Sequence, residues 1–140
     1  MTASDDASDD ASDRSIRVSA AVIRDASGRL LLVRKTGTTA FMQPGGKPET
    51  GEGPAETLVR ELREELGVDV AVDDLRSRGV FRAAAANEAG HTVVADVFDV
   101  PLGRQEPRAA AEIAELRWVG EAEAQALEVA PLARDYFLVD

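Results

Sequence analysis

Hydrophobic residues follow a strand-like pattern in several parts of the chain and a helical pattern in its middle. Apolar and β-branched residues are frequent in short segments that turn residues separate, as at 25–28 and 87–90. The segments with this extended pattern are residues 16–24, 29–35, 41–43, 68–72, 75–84, 91–100 and 112–119. A helix over 121–127 and a closing helix after residue 131 complete the pattern. Strands on both sides of a central helix predict the α/β class.

The central helix is predicted over residues 54–66. Pro54 suits the first turn of a helix, and Gly67 stands where a helix ends. One apolar stripe follows the helical period and should be buried against the core. Its members are Ala55, Leu58, Val59, Leu62 and Leu66.

Three acidic side chains share one edge of this helix. Glu61, Glu64 and Glu65 fall within an arc of about 100° beside the apolar stripe. An ordinary surface helix with ion pairs from Arg60 to Glu56 and Glu64 is the alternative. The like charges cost roughly 0.2–0.5 kcal/mol per pair, and no basic residue falls on the same arc. The spacing therefore favours a site for a hard divalent cation such as Mg2+.

A glycine-rich loop precedes the helix. Pro44, Gly45 and Gly46 allow a tight turn and close approach of the backbone, and Glu49 and Glu52 add two acids. Backbone oxygens of this loop are therefore candidate metal ligands beside the carboxylates.

Together, loop and helix resemble the Nudix box, the motif of the Nudix hydrolase superfamily. Gly46 is followed after five residues by Glu52 and after seven more by the segment 60–68, which reads RELREELGV. Every specified position of the motif is filled between Gly46 and Val68. The resemblance implies the Nudix fold, in which a mixed β-sheet is sandwiched between α-helices.

The resemblance also implies roles for the residues of the box. Glu61, Glu64 and Glu65 would bind Mg2+ or Mn2+, with the carbonyl group of Gly45 as a backbone ligand. Arg60 and Glu52 would orient these carboxylates. The general base is a glutamate of the box helix or one outside it. Outside the helix, Glu112 is the preferred candidate, and the competing glutamates are Glu88, Glu106 and Glu115.

Five residues are candidates for substrate contacts. Arg34 and Lys35 end a predicted strand just before the box, where they either bind phosphate or remain solvated. Phe41 belongs either to the core or to the wall of the substrate pocket, and the core is favoured. Gly46 and Lys47 lie in the glycine loop itself.

Members of the superfamily hydrolyse a diphosphate linkage in derivatives of nucleoside diphosphates. Markers of two subclasses are missing: no proline lies between Pro54 and Pro101, and the single tyrosine is Tyr136. A nucleoside triphosphate or an oxidised nucleotide is therefore the preferred substrate. The alternatives are ADP-ribose, a nucleotide sugar or a dinucleoside polyphosphate, or a non-catalytic nucleotide-binding module of the same fold.

Composition limits the number of domains, the partners and the cellular location that we expect for this protein. The 140 residues suit one domain and include no cysteine, and no apolar run is long enough to span a membrane. The net charge of −10 argues against binding nucleic acid. We expect a disordered acidic tail over residues 1–15, a Nudix domain over 16–140, and a cytoplasmic protein without a secretory signal. The resemblance adds a homodimer as an expectation.

Overall fold

The computed structural model describes residues 14–138, and in this part of the chain six strands and three α-helices form an α/β fold. The strands are β1 (Ser15–Val22), β2 (Leu30–Lys35), β3 (Gly45–Gly46), β4 (Arg76–Ala84), β5 (Thr92–Asp99) and β6 (Ile113–Val119). The helices are α1 (Pro54–Leu66), α2 (Glu121–Ala124) and α3 (Pro131–Tyr136), with a 3-10 turn at Val72–Asp74. The first thirteen residues of the predicted acidic tail lie outside the described residues.

The strands form two sheets. The larger sheet has the order β3-β1-β5-β4, in which β1 and β5 are parallel and the other pairs are antiparallel. The smaller sheet pairs β2 with β6 in antiparallel fashion. The expected mixed sheet of an α/β protein is confirmed. The turn at 25–28 joins β1 to β2, which belongs to the other sheet. Just beyond the end of β1, an isolated bridge pairs Arg24 with Leu30.

Both faces of the central strands are buried because successive side chains of a strand point to opposite sides. Ala20 and Val22 of β1 enter one hydrophobic cluster, which also contains residues of α3. Ala21 and Ile23 enter a second cluster, which α1 completes. The box helix therefore packs on one side of β1, and the C-terminal helix packs on the other.

Helix α1 has the bounds that the sequence predicts. Its leucines, Leu58, Leu62 and Leu66, are fully buried, whereas Ala55 and Val59 of the predicted stripe are half-buried. Gly67 ends the helix in the left-handed conformation (φ 67°), and its N–H donates to the carbonyl of Arg63.

The predicted extended segment at 68–72 forms no strand: the backbone of Ala71 is extended, and Val72 begins a 3-10 turn. Here the backbone of Asp69 bonds to a side chain instead of a neighbouring strand: its N–H donates to Gln105 Oε1 (2.7 Å), and its carbonyl accepts from Gln105 Nε2 (2.7 Å). Helix α2 is shorter than the predicted 121–127. Trp118, expected in the core, is half-buried against the second cluster.

Among residues 14–138, none of the helices has the length and apolar character required to cross a bilayer.

Candidate active site

The glycine loop lies against β1 and under the side chain of Glu61. Gly45 and Gly46 form β3 and pair with Ala20 and Ser19 of β1. A Cβ atom on Gly45, whose φ is 148°, would collide with the carbonyl of Ser19, and one on Gly46 would overlap the carboxylate of Glu61. Only glycine allows this approach, so the loop holds its backbone close to an acidic side chain.

Glu65 is the most deeply buried acid of the box helix, with 2% of its surface exposed. Its Oε1 accepts a hydrogen bond from the N–H of Gly45 (3.2 Å), while its Oε2 is buried with no partner among the described residues. Burial is the main cause that raises the pKa of Glu65 to about 8, and the nearby charge of Glu61 adds to the shift. An unpaired buried carboxylate oxygen of this kind is costly unless a cation or proton satisfies it.

Arg60 connects the acids of the loop with those of the helix. Its guanidinium donates to both oxygens of Glu52, at 2.6 and 2.9 Å, and its Nη1 donates to Glu61 (3.1 Å) and Glu64 (3.2 Å). Its Nη2 also donates to the carbonyl of Lys47 at 3.0 Å. The hydrogen bonds from Arg60 lower the pKa of Glu52 to about 2. The interpretation that no basic side chain offsets the acids of the helix is therefore wrong.

The three predicted metal ligands differ in exposure. The Glu64 side chain is 52% exposed and that of Glu61 is 14% exposed, whereas Glu65 lies behind the Gly45 backbone. Burial raises the pKa of Glu61 although Arg60 opposes the shift. Within residues 14–138, no three acidic or histidine side chains already converge as a metal cluster, and Arg60 instead binds two of the three acids.

A cavity of about 360 Å³ opens beside the box. At one end it is polar. The predicted site residues that line it are Lys35, Gly45, Gly46, Lys47, Glu61 and Glu112. Lys35 Nζ lies 3.3 Å from Glu112 Oε1, so this ion pair joins the end of β2 to the loop before β6.

Two predicted substrate contacts lie elsewhere. Arg34 donates to Glu115 (3.3 Å) and to the carbonyl of Thr38 (2.9 Å), and it does not line the cavity. Phe41 is 5% exposed, belongs to the first hydrophobic cluster and packs under the guanidinium of Arg117. Of the four glutamates weighed as a base outside the helix, Glu112 and Glu88 line the cavity.

Sequence reasoning missed the apolar end of the cavity. The hydrophobic residues that line it include Ile16, Val18, Ala84, Ala85, Ala86, Val93 and Leu132. The alanine run was visible in the sequence, but its small side chains gave no sign of facing a cavity. Ser19 was also missed: its hydroxyl donates to the carbonyl of Pro54 (2.7 Å) and ties the start of α1 to β1.

Comparison with known proteins agrees with this geometry. The model of the NUDIX domain family matches residues 14–138. An 8-oxo-dGTP diphosphatase of Haemophilus influenzae is 37% identical over 70 residues, which cover 47% of this chain and 52% of that protein. An RNA pyrophosphohydrolase of Halorhodospira halophila is 44% identical over 54 residues, which cover 36% of this chain and 30% of that protein. The matched segments thus span about half of these relatives or less.

The fold has solved relatives over most of its length. A crystal structure of a MutT protein from Methanosarcina mazei Go1 superimposes with a TM-score of 0.69 at 27% identity, covering 88% of this chain and 90% of that one. The complete box, the mixed sheet and the family match agree, and the chain belongs to the NUDIX family.

Proposed function

We propose that this protein is a metal-dependent hydrolase that cleaves a diphosphate linkage in a nucleoside diphosphate derivative. The observation that carries the proposal is the buried Glu65 carboxylate. One of its oxygens is bound by the N–H of Gly45, which lines the cavity together with Glu61, and the other has no partner in the described residues.

The acidic residues of the box and the glycine loop before them fit a divalent cation. Glu61, Glu64 and Glu65, with the carbonyl of Gly45, offer the hard oxygen donors that Mg2+ and Mn2+ prefer. When bound, such a cation neutralises diphosphate oxygens and lowers the pKa of a bound water molecule. The orphaned Oε2 of Glu65 supports this assignment because a cation would supply the partner that the protein does not.

Glu52 and Arg60 hold the acidic end in place. The bidentate hydrogen bond between them anchors the guanidinium of Arg60. Its Nη1 is then free to donate to Glu61 and Glu64 and orients both carboxylates. Arg60 also fixes the loop through the carbonyl of Lys47. We assign Arg60 and Glu52 as positioning residues for the carboxylates, a role that metal sites commonly need.

Lys35 and Lys47 are the cationic side chains among the described residues that line the cavity, and both lie at its polar end. They would bind the phosphates of the substrate. Glu112 is 60% exposed and paired with Lys35. Its exposed carboxylate in the cavity wall supports a role as the general base, with a glutamate of the box helix as the alternative.

A nucleoside triphosphate, with an ordinary or an oxidised base, is the substrate that we propose. The 8-oxo-dGTP diphosphatase among the relatives supports this class, whereas the net charge of −10 weighs against the RNA substrate that the name of the RNA pyrophosphohydrolase indicates. ADP-ribose, nucleotide sugars and dinucleoside polyphosphates remain alternatives. A cytoplasmic location, a homodimer and the absence of a nucleic-acid partner stay predictions.

The test is a phosphate-release screen of the purified protein at mildly alkaline pH. The panel contains nucleoside triphosphates, oxidised nucleotides, a 5′-triphosphorylated RNA, ADP-ribose, nucleotide sugars and dinucleoside polyphosphates, each with Mg2+, with Mn2+ and with a chelator. The proposal predicts metal-dependent turnover that is highest for a nucleoside triphosphate. Tight nucleotide binding without product after prolonged incubation with metal would instead support a binding module.

A further inference from the structure

The cavity extends along β1, and the strand register places its two ends apart. At the polar end, Gly46 pairs with Ser19, while at the other end Ala84 pairs with Thr92, which pairs with Ser15. Ser19 lies four positions along β1 from Ser15, which corresponds to about 13 Å. The segment 85–88 continues from β4 beyond this far end and also lines the cavity.

The far end is mostly aliphatic. Ile16, Val93 and the alanines 84–86 line it, and none of the described lining residues is aromatic. An apolar wall of this kind can hold a flat base by contact alone, but it cannot distinguish one base from another by hydrogen bonding. The polar side chains of the segment 85–88 are those of Asn87 and Glu88, and they offer this end of the cavity hydrogen bonds that can distinguish bases.

Of these two, Glu88 has the more selective chemistry. A carboxylate only accepts hydrogen bonds, whereas the amide of Asn87 both donates and accepts and can suit either kind of base by turning over. The Glu88 side chain is exposed and forms no hydrogen bond or ion pair within residues 14–138. Its negative charge repels phosphate, so it suits the end of the substrate that is remote from the phosphates.

We propose that Glu88 reads the edge of the substrate base and selects bases of the guanine type; this inference rests on the proposed nucleotide hydrolase. Guanine carries two adjacent donors, N1–H and the 2-amino group, and the two oxygens of a carboxylate can accept from both in a bidentate hydrogen bond. Adenine presents an unprotonated ring nitrogen at the same position, which a carboxylate repels. Oxidation at C8 leaves this edge unchanged, so guanine and 8-oxoguanine nucleotides are both accepted.

Product-like monophosphates test this inference without catalysis. Isothermal titration calorimetry would measure the Kd values of GMP, IMP, which lacks the 2-amino group, and AMP. A two-pronged contact predicts that GMP binds about 5- to 150-fold more tightly than AMP, with IMP between them. The Glu88→Gln variant, which places an N–H donor against the base, should lose this preference. The matched control Glu121→Gln, on exposed α2, should keep it.

Three results would overturn the inference: equal affinities in the wild type, a preference that persists in Glu88→Gln, or no binding of any monophosphate. Phosphate release from GTP and ATP by the same proteins separates this outcome from failure of the proposed function. Hydrolysis without base preference would remove the role of Glu88 and leave the hydrolase. Base-selective binding without hydrolysis would support the role of Glu88 and reject the proposed hydrolase.

Discussion

The two ends of the cavity are built in different ways. At the polar end, Arg60 alone forms hydrogen bonds with three glutamates and with one backbone carbonyl. At the far end, Ile16, Val93 and the alanines offer only apolar contact, and Glu88 has no side-chain partner in the described residues. One end is fixed in position by a charged network, whereas the other leaves space and one free carboxylate.

This difference indicates that the two ends of the cavity have different functions. Chemistry on a diphosphate needs carboxylates held within a narrow geometry, and hydrogen-bonded networks provide that precision. Recognition of the rest of the substrate needs surface and a few polar groups. Substitutions at the polar end should therefore lower kcat, and substitutions at the far end should change KM or the preferred base. The following predictions test this separation.

Apart from loss of a metal ligand itself, the largest of these effects is expected at Arg60. Arg60→Ala removes the hydrogen bonds that orient Glu52, Glu61 and Glu64, and such losses around metal ligands typically reduce metal affinity or activity by about 10- to 100-fold. Titration of activity with Mg2+ would show whether more metal is needed for half-maximal turnover.

Arg63→Ala is the matched control for Arg60. Arg63 lies on the same helix, and within residues 14–138 its guanidinium forms an ion pair with exposed Asp69 (2.8 Å). It should leave the Mg2+ dependence unchanged. Equal losses in the two variants would show that helix stability, and not orientation of the acids, explains the effect.

A second prediction concerns Glu65 and pH in the metal-free protein. Because burial raises the folded-state pKa from 4.5 to about 8, the native state keeps a proton that the unfolded state releases in this range. The contribution of Glu65 to stability should thus be greatest below pH 4.5 and should fall with rising pH, by at most roughly 1.4 kcal/mol per pH unit, until pH passes about 8.

Urea unfolding at several pH values would measure this dependence. Glu65→Gln has no carboxylate at this position, so its free energy of unfolding should decline less over the same range. Mg2+ should restore the stability of the wild type at high pH, since a cation replaces the proton. The same pH profile in wild type and variant would mean that Glu65 does not titrate as described.

The smallest effect is expected at the apolar end. Ile16→Val removes one methylene group from the wall, which is worth about 0.8 kcal/mol when fully buried, or about a fourfold change in affinity. The KM for a nucleoside triphosphate should rise by up to this factor while kcat stays constant. A fall in kcat with constant KM would contradict the separation of substrate binding at the far end from chemistry at the polar end.

The sequence predicted the polar end better than the far end, for physical reasons. Helix α1 has strong local signals in Pro54, Gly67 and its leucine period, and its three acids share an edge by helical geometry alone. The spacing therefore placed Glu61, Glu64 and Glu65 together. The burial of Glu65 and the reach of Arg60 depend on packing between distant segments, which spacing does not reveal.

The far end of the cavity is formed by residues that strand pairing brings together from distant parts of the sequence. Ile16, Ala84 and Val93 meet only because β1, β4 and β5 are aligned in one sheet. The turn between β4 and β5 was predicted at residues 87–90, but the parallel pairing of β1 with β5 was not. The same limit applies to residues 68–72, where the contact with Gln105 replaced a strand.

The most direct test of the account is the turnover of Glu64→Gln. Glu64 is half exposed, and its side chain bonds only to Arg60 in the described structure, so the variant should fold with an unchanged circular dichroism spectrum. Loss of a metal ligand should lower kcat for the best substrate with Mg2+ by at least about 100-fold, since metal stabilisation of the transition state is worth several kcal/mol. Turnover close to that of the wild type would contradict the assignment of this acidic edge as the catalytic metal site.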